Sequence, residues 1–197
     1  SMPIVMNLFG TMDRVRSALG REPAEIGQEI LSTLDRLNPP SLKGLWGSRN
    51  TLRRAVFAHP RRVSSAPSQQ IVSEPDLTRL PILKCWPGDA GRFITFGMTV
   101  TQHPKTKRRN LGLYRLQMFG KDQTGMHWQS MKGGRGHYWE AESDGKDLEV
   151  AVIIGADPVL MIAAILPLPE DVDEMAFAGF VRGKGIPLVR AKTLDMM

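Results

Sequence analysis

The sequence predicts an α+β fold in which a β-barrel or curved antiparallel sheet carries attached helices. Apolar residues before position 58 recur at intervals of three and four, the spacing of amphipathic helices. After position 91 the period changes: GRFITFGMTVTQ alternates between two sets of side chains and is rich in β-branched and aromatic residues, which is typical of a strand. In addition, 42% of the 197 residues are hydrophobic, so the chain can bury a core.

Helices are predicted in the N-terminal region. TMDRVRSALG forms one that ends at Gly20, and PAEIGQEILSTLDRLNPP forms a second that begins at Pro23 and is broken by Pro39 and Pro40. The apolar faces of these two helices contain Met12, Val15, Leu19, Ile26, Ile30, Leu34 and Leu37. A third helix is predicted within residues 41–57, and HPRRVSSAPSQQ is predicted to be a loop.

An antiparallel meander is predicted in the middle of the chain. GRFITFGMTVTQ is a strand that ends at His103 and Pro104, and LGLYRLQMF and MHWQ are strands on either side of the turn GKDQTG. LEVAVIIGADP is a strand that leads into the helix VLMIAAIL, with Asp157 as N-cap and Pro158 in the first turn. DEMAFAGFVRG is predicted as a short helix, and IPLVRAKTLDM as a last strand.

The positive charge favours a solvated basic surface or contact with the phosphate of a small cofactor. The net charge is +6 and the pI is about 9.8. The basic clusters contain Lys105, Lys107, Arg108 and Arg109, and Arg53, Arg54, Arg61 and Arg62. Aromatic residues do not alternate with these clusters as a base-stacking surface requires, so nucleic acid is disfavoured as a partner.

Several classes of protein lack support in the sequence. The single cysteine, Cys85, excludes a disulfide framework and fits a reducing, cytoplasmic setting. The longest apolar run, residues 159–166, falls well short of the roughly 18 residues of a membrane span. The chain contains neither a Gly-x-Ser-x-Gly elbow nor a phosphate-binding loop, so acyl transfer and nucleotide hydrolysis are not indicated.

Three polar residues stand out within the predicted strands. Asn110 opens NLGLYRLQMF and Arg115 interrupts it, while His127 is the histidine that falls inside a predicted strand. Buried polar atoms usually find local hydrogen bonds. From the residues alone, satisfied polar groups at strand ends are therefore the favoured interpretation.

A succession of motifs changes that interpretation. The segment from LPILKCWPGDAGRF to GMHWQ, followed by KGG, IGADP, PLPE and DEMAFAGFVRG, resembles the UbiD-type decarboxylases, the 3-octaprenyl-4-hydroxybenzoate carboxy-lyase family. The resemblance runs from about Asn7 to about Asp195. It implies a mainly antiparallel split β-barrel of the flavin-binding type in residues 71–197, with a partial helical N-terminal region and loop in residues 1–70. The family's C-terminal domain is expected to be absent.

The resemblance also implies cofactors and the residues that hold them. The cofactors are prenylated FMN, Mn²⁺ or Mg²⁺, and in many members K⁺. The implied metal ligands are Asn110, His127 and Glu174, and hard oxygen donors suit such ions. The implied cofactor-binding residues are Leu113, Tyr114, Arg115, His127, Trp128, Gln129, Lys132 and Gly133. Met131 departs from the pattern, because many relatives have a histidine at that position.

Arg115 is the implied catalytic residue, facing the flavin ring and the substrate carboxylate. The implied reaction is non-oxidative decarboxylation of an aromatic or α,β-unsaturated carboxylic acid, with a flavin prenyltransferase as cofactor supplier and a homo-oligomer as the full-length assembly. The acidic residues of the catalytic network follow Glu174 in the family and are expected to be missing, so this fragment should not turn over substrate unaided. Two alternatives remain open: a non-enzymatic barrel that binds nucleic acid, and an ordinary FMN-binding split barrel.

Overall fold

An antiparallel sheet of four strands carries helices on both of its faces. The computed structural model describes residues 2–38, 41–130, 132–169 and 172–197. The strands of this sheet are β2 Phe93–Gln102, β3 Arg109–Met118, β4 Thr124–Met126 and β5 Val150–Ile153, and their order is β4–β3–β2–β5. A separate parallel pair consists of β1 Arg61–Arg62 and β6 Pro187–Leu188.

Seven α-helices lie in the described ranges, four of them before the sheet. They are α1 Met12–Leu19, α2 Pro23–Leu37, α3 Leu42–Gly47, α4 Arg49–Phe57, α5 Gly133–Ser143, α6 Pro158–Ala163 and α7 Glu174–Arg182. Two short 3₁₀ turns, Pro67–Gln69 and Leu77–Arg79, lie in the long connection between α4 and β2. None of the helices found in these ranges is long and apolar enough to cross a membrane.

The sheet is curled because β2 contains a bulge. The register between β2 and β3 shifts between Ile94 and Gly97, and a bulge of this kind bends the strand and increases its twist. A side chain at Gly97 would lie 3.0 Å from Ile94 Cγ2 and from Leu116 Cδ1, so the bend needs glycine here. The predicted antiparallel meander of β2, β3 and β4 is confirmed. The described strands form a half-barrel, and closure into a split barrel stays a prediction.

The two faces of the β2–β3 hairpin differ in chemistry. Met98, Val100 and Leu111 point to one face and form the buried core with apolar residues of α6 and α7. The alternate positions, which include Thr99 and Thr101, are also buried but face α5. One face of the hairpin therefore holds the fold together, while the other offers polar groups to the helix that covers it.

Helix ends follow the sequence signals closely. Gly20 ends α1 in the left-handed conformation with φ of 69°, as predicted. Asp157 caps α6 by accepting a hydrogen bond from the Val159 N–H at 2.8 Å, and Pro158 occupies the first turn. The stop predicted at Pro39 and Pro40 lies outside the described residues.

Several predicted elements differ from the structure. Residues 41–57 form two helices, α3 and α4, that meet at Ser48. Leu34, predicted on the buried face of α2, is 59% exposed, because the buried face runs through Ile26 and Thr33 and leaves Leu34 beside it. The predicted loop HPRRVSSAPSQQ contains strand β1, which pairs with β6.

The strand predicted at MHWQ is displaced. β4 ends at Met126, and its first residue, Thr124, pairs with Met118, so the turn is shorter than predicted. The last predicted strand, IPLVRAKTLDM, is reduced to the two residues of β6. Helix α5 has no counterpart in the prediction.

A cluster centred on Glu29 joins the N-terminal helices to α7. Arg21 and Arg54 each donate to Glu29 Oε2 at 2.8 Å, and Thr51 donates to Oε1 at 3.1 Å. Burial alone raises the pKa of Glu29, but the hydrogen bonds from Arg21 and Thr51 and the charge of Arg54 outweigh it and lower the pKa. Arg54 also donates to the Phe180 carbonyl at 2.7 Å, which fixes the C-terminal end of α7.

The crossing of α4 and α7 depends on Gly179, which packs against the backbone of Ala58. A Cβ at position 179 would overlap the Ala58 carbonyl oxygen and lie 2.9 Å from its carbon. We expect Gly179→Ala to destabilise the fold by about 3 kcal/mol, the upper range for overpacking a core. In thermal unfolding this corresponds to a loss of roughly 6–12 °C.

Gly27→Ala is the matched control. Gly27 lies inside α2, and nothing lies within 4 Å of an added Cβ there. Alanine at this position should raise stability by up to about 1 kcal/mol, because it is the better helix former. Equal effects of the two substitutions would contradict the packing argument.

Candidate cofactor and metal site

The edge of β3 that faces away from β2 forms the framework of the site. Pairing with β4 begins only at Leu116, so the first half of β3 is free of a neighbouring strand on that side within the described ranges. In an antiparallel ladder, alternate residues direct both backbone groups to the same edge. The groups that bond to this edge are the Glu174 carboxylate at Leu111, Lys132 Nζ at Leu113 and the His127 N–H at Arg115.

Asn110 and Glu174, two of the predicted metal ligands, come together at the start of β3. The Leu111 N–H donates to Glu174 Oε2 at 3.3 Å, which places the carboxylate next to Asn110. Asn110 Nδ2 is buried without a hydrogen-bond partner among the described residues. Burial raises the pKa of Glu174, and the backbone hydrogen bonds and the charge of Arg109 do not offset this desolvation. A polar or charged ligand beside these two side chains would therefore offset the cost of burying them.

The flanking residues Arg109 and Asp173 connect the same two segments. Arg109 Nη2 lies 2.6 Å from Asp173 Oδ2. Asp173 is the N-cap of α7 and accepts hydrogen bonds from the Met175 and Ala176 N–H groups. The first turn of α7, which begins with Glu174, is therefore tied to the start of β3.

The N-terminus of α5 packs directly on this region through its glycines. A Cβ at Gly133 would overlap Asn110 Oδ1, and a Cβ at Gly134 would lie 2.6 Å from the Tyr114 hydroxyl. The Gly134 N–H donates to that hydroxyl at 3.1 Å. Lys132 Nζ, 5.2 Å from the Tyr114 ring centroid, donates to the Leu113 carbonyl at 2.9 Å. The predicted residues of NLGLYR and KGG therefore meet.

Of the predicted site residues that follow β4, Trp128 packs into the site, whereas His127 and Gln129 have exposed side chains. Trp128 packs edge-on against Tyr114 at a centroid distance of 5.0 Å and stacks on Tyr138 at 5.7 Å. Gln129 and the His127 side chain are exposed. His127 lies opposite Arg115, about 16 Å along β3 from Asn110 at roughly 3.3 Å per residue. The structure does not bring His127 to Asn110 and Glu174, and its role as a ligand stays a prediction.

Arg115 stands at the opposite end of the free edge. Its guanidinium lies 4.2 Å above the Phe93 ring centroid, and Nη2 is 3.5 Å from Asp89 Oδ1. Asp89 is held by its own loop, because its Oδ2 accepts a hydrogen bond from the Trp86 N–H at 3.2 Å. The Arg115 side chain is 49% exposed, so the guanidinium remains accessible to an anionic ligand.

A cavity of about 570 Å³ lies between α5 and the β2–β3 hairpin. It is lined by His103, Arg108, Gly133, Gly136, His137, Trp139, Glu140 and Ser143. Among the predicted cofactor residues, Gly133 lines this cavity. Its buried wall includes His137, whose Nδ1 is hydrogen-bonded to Thr101 Oγ1 at 2.8 Å.

His137 makes the stability of the fold depend on pH. Burial, with the nearby charges of His103 and Arg108, lowers its pKa from 6.5 to about 4. The folded protein keeps His137 neutral, whereas the unfolded chain binds a proton at this residue more readily. The folded state is therefore most stable above pH 6.5 and loses stability as the pH falls toward 4. We expect a slope of up to about 1.4 kcal/mol per pH unit in urea unfolding, which His137→Gln should reduce. Equal slopes in both proteins would contradict this assignment.

Sequence reasoning missed several polar residues that support the site, namely Arg109, Asp173, Asp89 and His137. The segment VDEMAF carried a usable signal for one of them, because an acidic residue before a helix start is a common N-cap. Met131 lies outside the described residues. No cluster of three or more His, Cys, Asp or Glu side chains placed to hold a metal ion occurs in the ranges that the structure describes.

Fold and site together define a class of protein: a mixed α/β domain whose curled antiparallel sheet gathers polar ligands at the free edge of one strand. The model of the 3-octaprenyl-4-hydroxybenzoate carboxy-lyase Rift-related domain matches residues 61–197, and that of the N-terminal domain of the same enzyme matches residues 1–34. The chain belongs to this family, the UbiD family, which confirms the predicted resemblance.

Relatives and solved structures agree with this assignment. An uncharacterized protein of Archaeoglobus fulgidus is 41% identical over 198 residues, covering 100% of this chain and 41% of that protein. The UbiD-class enzyme HmfF from Pelotomaculum thermopropionicum, solved with FMN, is similar at a TM-score of 0.75 and 25% identity, over 98% of this chain and 40% of that one.

An evolved dimeric form of HmfF, solved with prFMN, is similar at a TM-score of 0.66 and 29% identity, over 74% of this chain and 36% of that one. The chain therefore spans about two fifths of the length of the relatives and structures that it matches.

Proposed function

We propose that this chain is the cofactor-binding part of a prenylated-FMN-dependent decarboxylase that acts on an aromatic or α,β-unsaturated carboxylic acid. The observation that carries the proposal is the meeting of Asn110, Glu174 and the glycine-rich start of α5 at the free edge of β3. UbiD-class structures bound to FMN and to prFMN share this fold, which supports flavin binding by this chain.

The residues present fit a divalent cation, which would neutralise the charge of a flavin phosphate. The Asn110 amide and the Glu174 carboxylate supply hard oxygen donors, which suit Mn²⁺ or Mg²⁺. The buried Asn110 Nδ2 is a donor without a partner among the described residues, which suits a phosphate oxygen, and the desolvation that raises the pKa of Glu174 would be offset by a cation. A cation would stabilise the ionised form of Glu174, and phosphate oxygens would complete the coordination of that cation.

The remaining residues bind and orient. We propose that Lys132 and the backbone at Gly133 bind phosphate, because Lys132 is near the α5 N-terminus and glycine lets anions approach closely. Trp128 would offer an aromatic surface to the cofactor, and Tyr114, which is buried beneath it, would support that surface. When bound, the prenylated flavin supplies the electron sink for loss of CO₂. Several expectations stay predictions: closure into a split barrel, binding of Mn²⁺ and K⁺, assembly into a homo-oligomer, supply of the cofactor by a prenyltransferase, and a cytoplasmic location.

Retention of flavin tests the proposal directly. We expect the purified chain to retain FMN after desalting when Mn²⁺ is present and to lose it in EDTA, as measured by absorbance and metal analysis. Riboflavin, which has no phosphate, should not be retained under either condition. Failure to retain FMN, or retention of both flavins without metal, would refute the proposed site.

The alternatives predict different outcomes. A nucleic-acid-binding barrel would bind oligonucleotides with a steep salt dependence. However, Lys105 in the basic hairpin is paired with Glu140 at 2.7 Å, and Arg109 with Asp173 at 2.6 Å, which leaves less free charge for phosphates. An ordinary FMN barrel would show NAD(P)H-driven reduction of unmodified FMN.

Arg115→Ala should separate substrate binding from cofactor binding. We expect FMN retention to change less than about twofold, while affinity of the flavin-loaded chain for benzoate falls roughly 10- to 100-fold, the loss of one charge-assisted contact. Calorimetric titration measures the affinity. Arg92→Ala is the matched control, because Arg92 is exposed at the start of the same hairpin and is not a predicted site residue. Equal affinities in the two variants would remove Arg115 from the carboxylate site.

A further inference from the structure

Two residues at the start of β3, one on each side of Asn110, contact two consecutive residues at the start of α7. Arg109 Nη2 contacts Asp173 Oδ2 at 2.6 Å, and the next residue of the helix, Glu174, accepts from the Leu111 N–H at 3.3 Å. Asn110 lies between the two strand positions that make these contacts. An ion pair and a hydrogen bond therefore fix the helix start against the strand on both sides of the predicted ligand.

The two oxygens of the Asp173 carboxylate have separate partners. Oδ1 accepts from the Met175 N–H at 2.7 Å and from the Ala176 N–H at 3.1 Å, which caps α7. Oδ2 is bound by Arg109. Because both oxygens are engaged, the carboxylate has one orientation, and Arg109 ties the start of α7 to β3.

The pair is partly withdrawn from solvent. The Arg109 side chain is 17% exposed and the Asp173 side chain 35%, so solvent screens this pair less than a fully exposed one. Arg109 Nε is buried without a partner among the described residues. A buried donor without a partner costs free energy, so packing alone does not account for an arginine at this position.

We propose that Arg109 and Asp173 form a clamp that sets the separation of Asn110 and Glu174, and thereby the affinity of the site for a divalent cation. The inference rests on the proposed function, in which Asn110 and Glu174 are ligands. Arg109 and Asp173 are positioning residues that bind neither metal nor flavin. Residues that orient metal ligands typically change metal affinity by about 10- to 100-fold when they are replaced.

The chain contains a matched control pair at the opposite end of α7. Asp157 caps α6 through its Oδ1, which accepts from the Val159 N–H at 2.8 Å and is also 2.6 Å from Arg182 Nη2. Side-chain exposures are similar, at 26% for Arg182 and 39% for Asp157. This pair has the same chemistry as the clamp but contacts no predicted ligand.

The first test is Mn²⁺ binding in the presence of FMN, followed by electron paramagnetic resonance. Asp173→Asn retains a cap acceptor but removes the charge, and Arg109→Gln removes the other partner. Each should weaken Mn²⁺ binding about 10- to 100-fold, and the double variant should be no weaker than the worse single one. Asp157→Asn should stay within about twofold of the parent. Parent-like binding by Asp173→Asn, or an equal loss in Asp157→Asn, would overturn the clamp.

The second test does not need metal. Amide hydrogen exchange at Leu111 reports the contact between β3 and Glu174, and we expect it to accelerate at least about tenfold in Asp173→Asn and Arg109→Gln but not in Asp157→Asn. If the parent takes up no Mn²⁺, the proposed metal site fails and the exchange rate alone decides the clamp. Unchanged exchange at Leu111 in both clamp variants would overturn it.

Discussion

Replacing Glu174 with glutamine should lower the affinity for Mn²⁺ at least about 100-fold, because the site loses its one proposed anionic protein ligand. The amide oxygen of glutamine can still accept the hydrogen bond from the Leu111 N–H, which is 3.3 Å long in the parent. Burial raises the pKa of Glu174, so a neutral side chain of the same shape removes a desolvation cost. We therefore expect unfolding without metal to occur at the same temperature as in the parent or above it.

Mn²⁺ titration in the presence of FMN and thermal unfolding of the metal-free chain measure the two effects. Glu140→Gln is the control, because Glu140 is paired with Lys105 at 2.7 Å and belongs to none of the proposed ligand sets. Its Mn²⁺ affinity should equal that of the parent. Undiminished Mn²⁺ uptake by Glu174→Gln would exclude Glu174 as a ligand, whatever the effect on stability.

Gly133→Ala should reduce Mn²⁺ affinity to a similar degree, roughly 10- to 100-fold, without replacing any ligand. An added Cβ at Gly133 would overlap Asn110 Oδ1, the atom proposed to bind the metal, and would lie 3.2 Å from Asn110 Cγ. The Asn110 side chain must therefore turn away. Because alanine otherwise favours helix over glycine, the substitution should not unfold α5.

Gly136→Ala in the same helix separates the two effects. Nothing lies within 4 Å of a Cβ added at Gly136. This variant should be more stable by up to about 1 kcal/mol and bind Mn²⁺ like the parent. If Gly133→Ala also binds like the parent, the packing of α5 on Asn110 does not set the geometry of the site.

The elements that sequence reasoning located are those whose signals are local. β2 is long and rich in β-branched and aromatic residues, and β3 is equally long with leucines that suit a buried strand. Gly20 and Asp157 mark helix ends with residue types that suit those positions. Helix α5 was missed because its first two residues are glycines, which disfavour helix. Its position depends on contacts of these glycines with Asn110 and Tyr114, which are distant in sequence.

The site residues likewise divide into those that could be identified before the structure and those that could not. Resemblance to a family identified Asn110 and Glu174, which the structure brings together, and the residue types alone would have left both as ordinary polar groups. Arg109 and Asp173 could not be found as partners, because they are joined across more than 60 positions and the choice of partner is set by the fold. The position of β4 was also predicted wrongly, because the residues that pair with β3 depend on strand register, which local sequence does not specify.

The opposite faces of the β2–β3 hairpin have a consequence for how this protein can change over time. Substitutions among Met98, Val100 and Leu111 act on folding, whereas substitutions among Thr99, Thr101 and Asn110 alter the lining beneath α5. Selection for stability therefore acts mainly on one set of alternate residues in β2 and β3, and selection for the chemistry of the lining acts mainly on the other set. A substitution on the α5 side can therefore change the chemistry of that lining while the apolar side keeps the backbone in place.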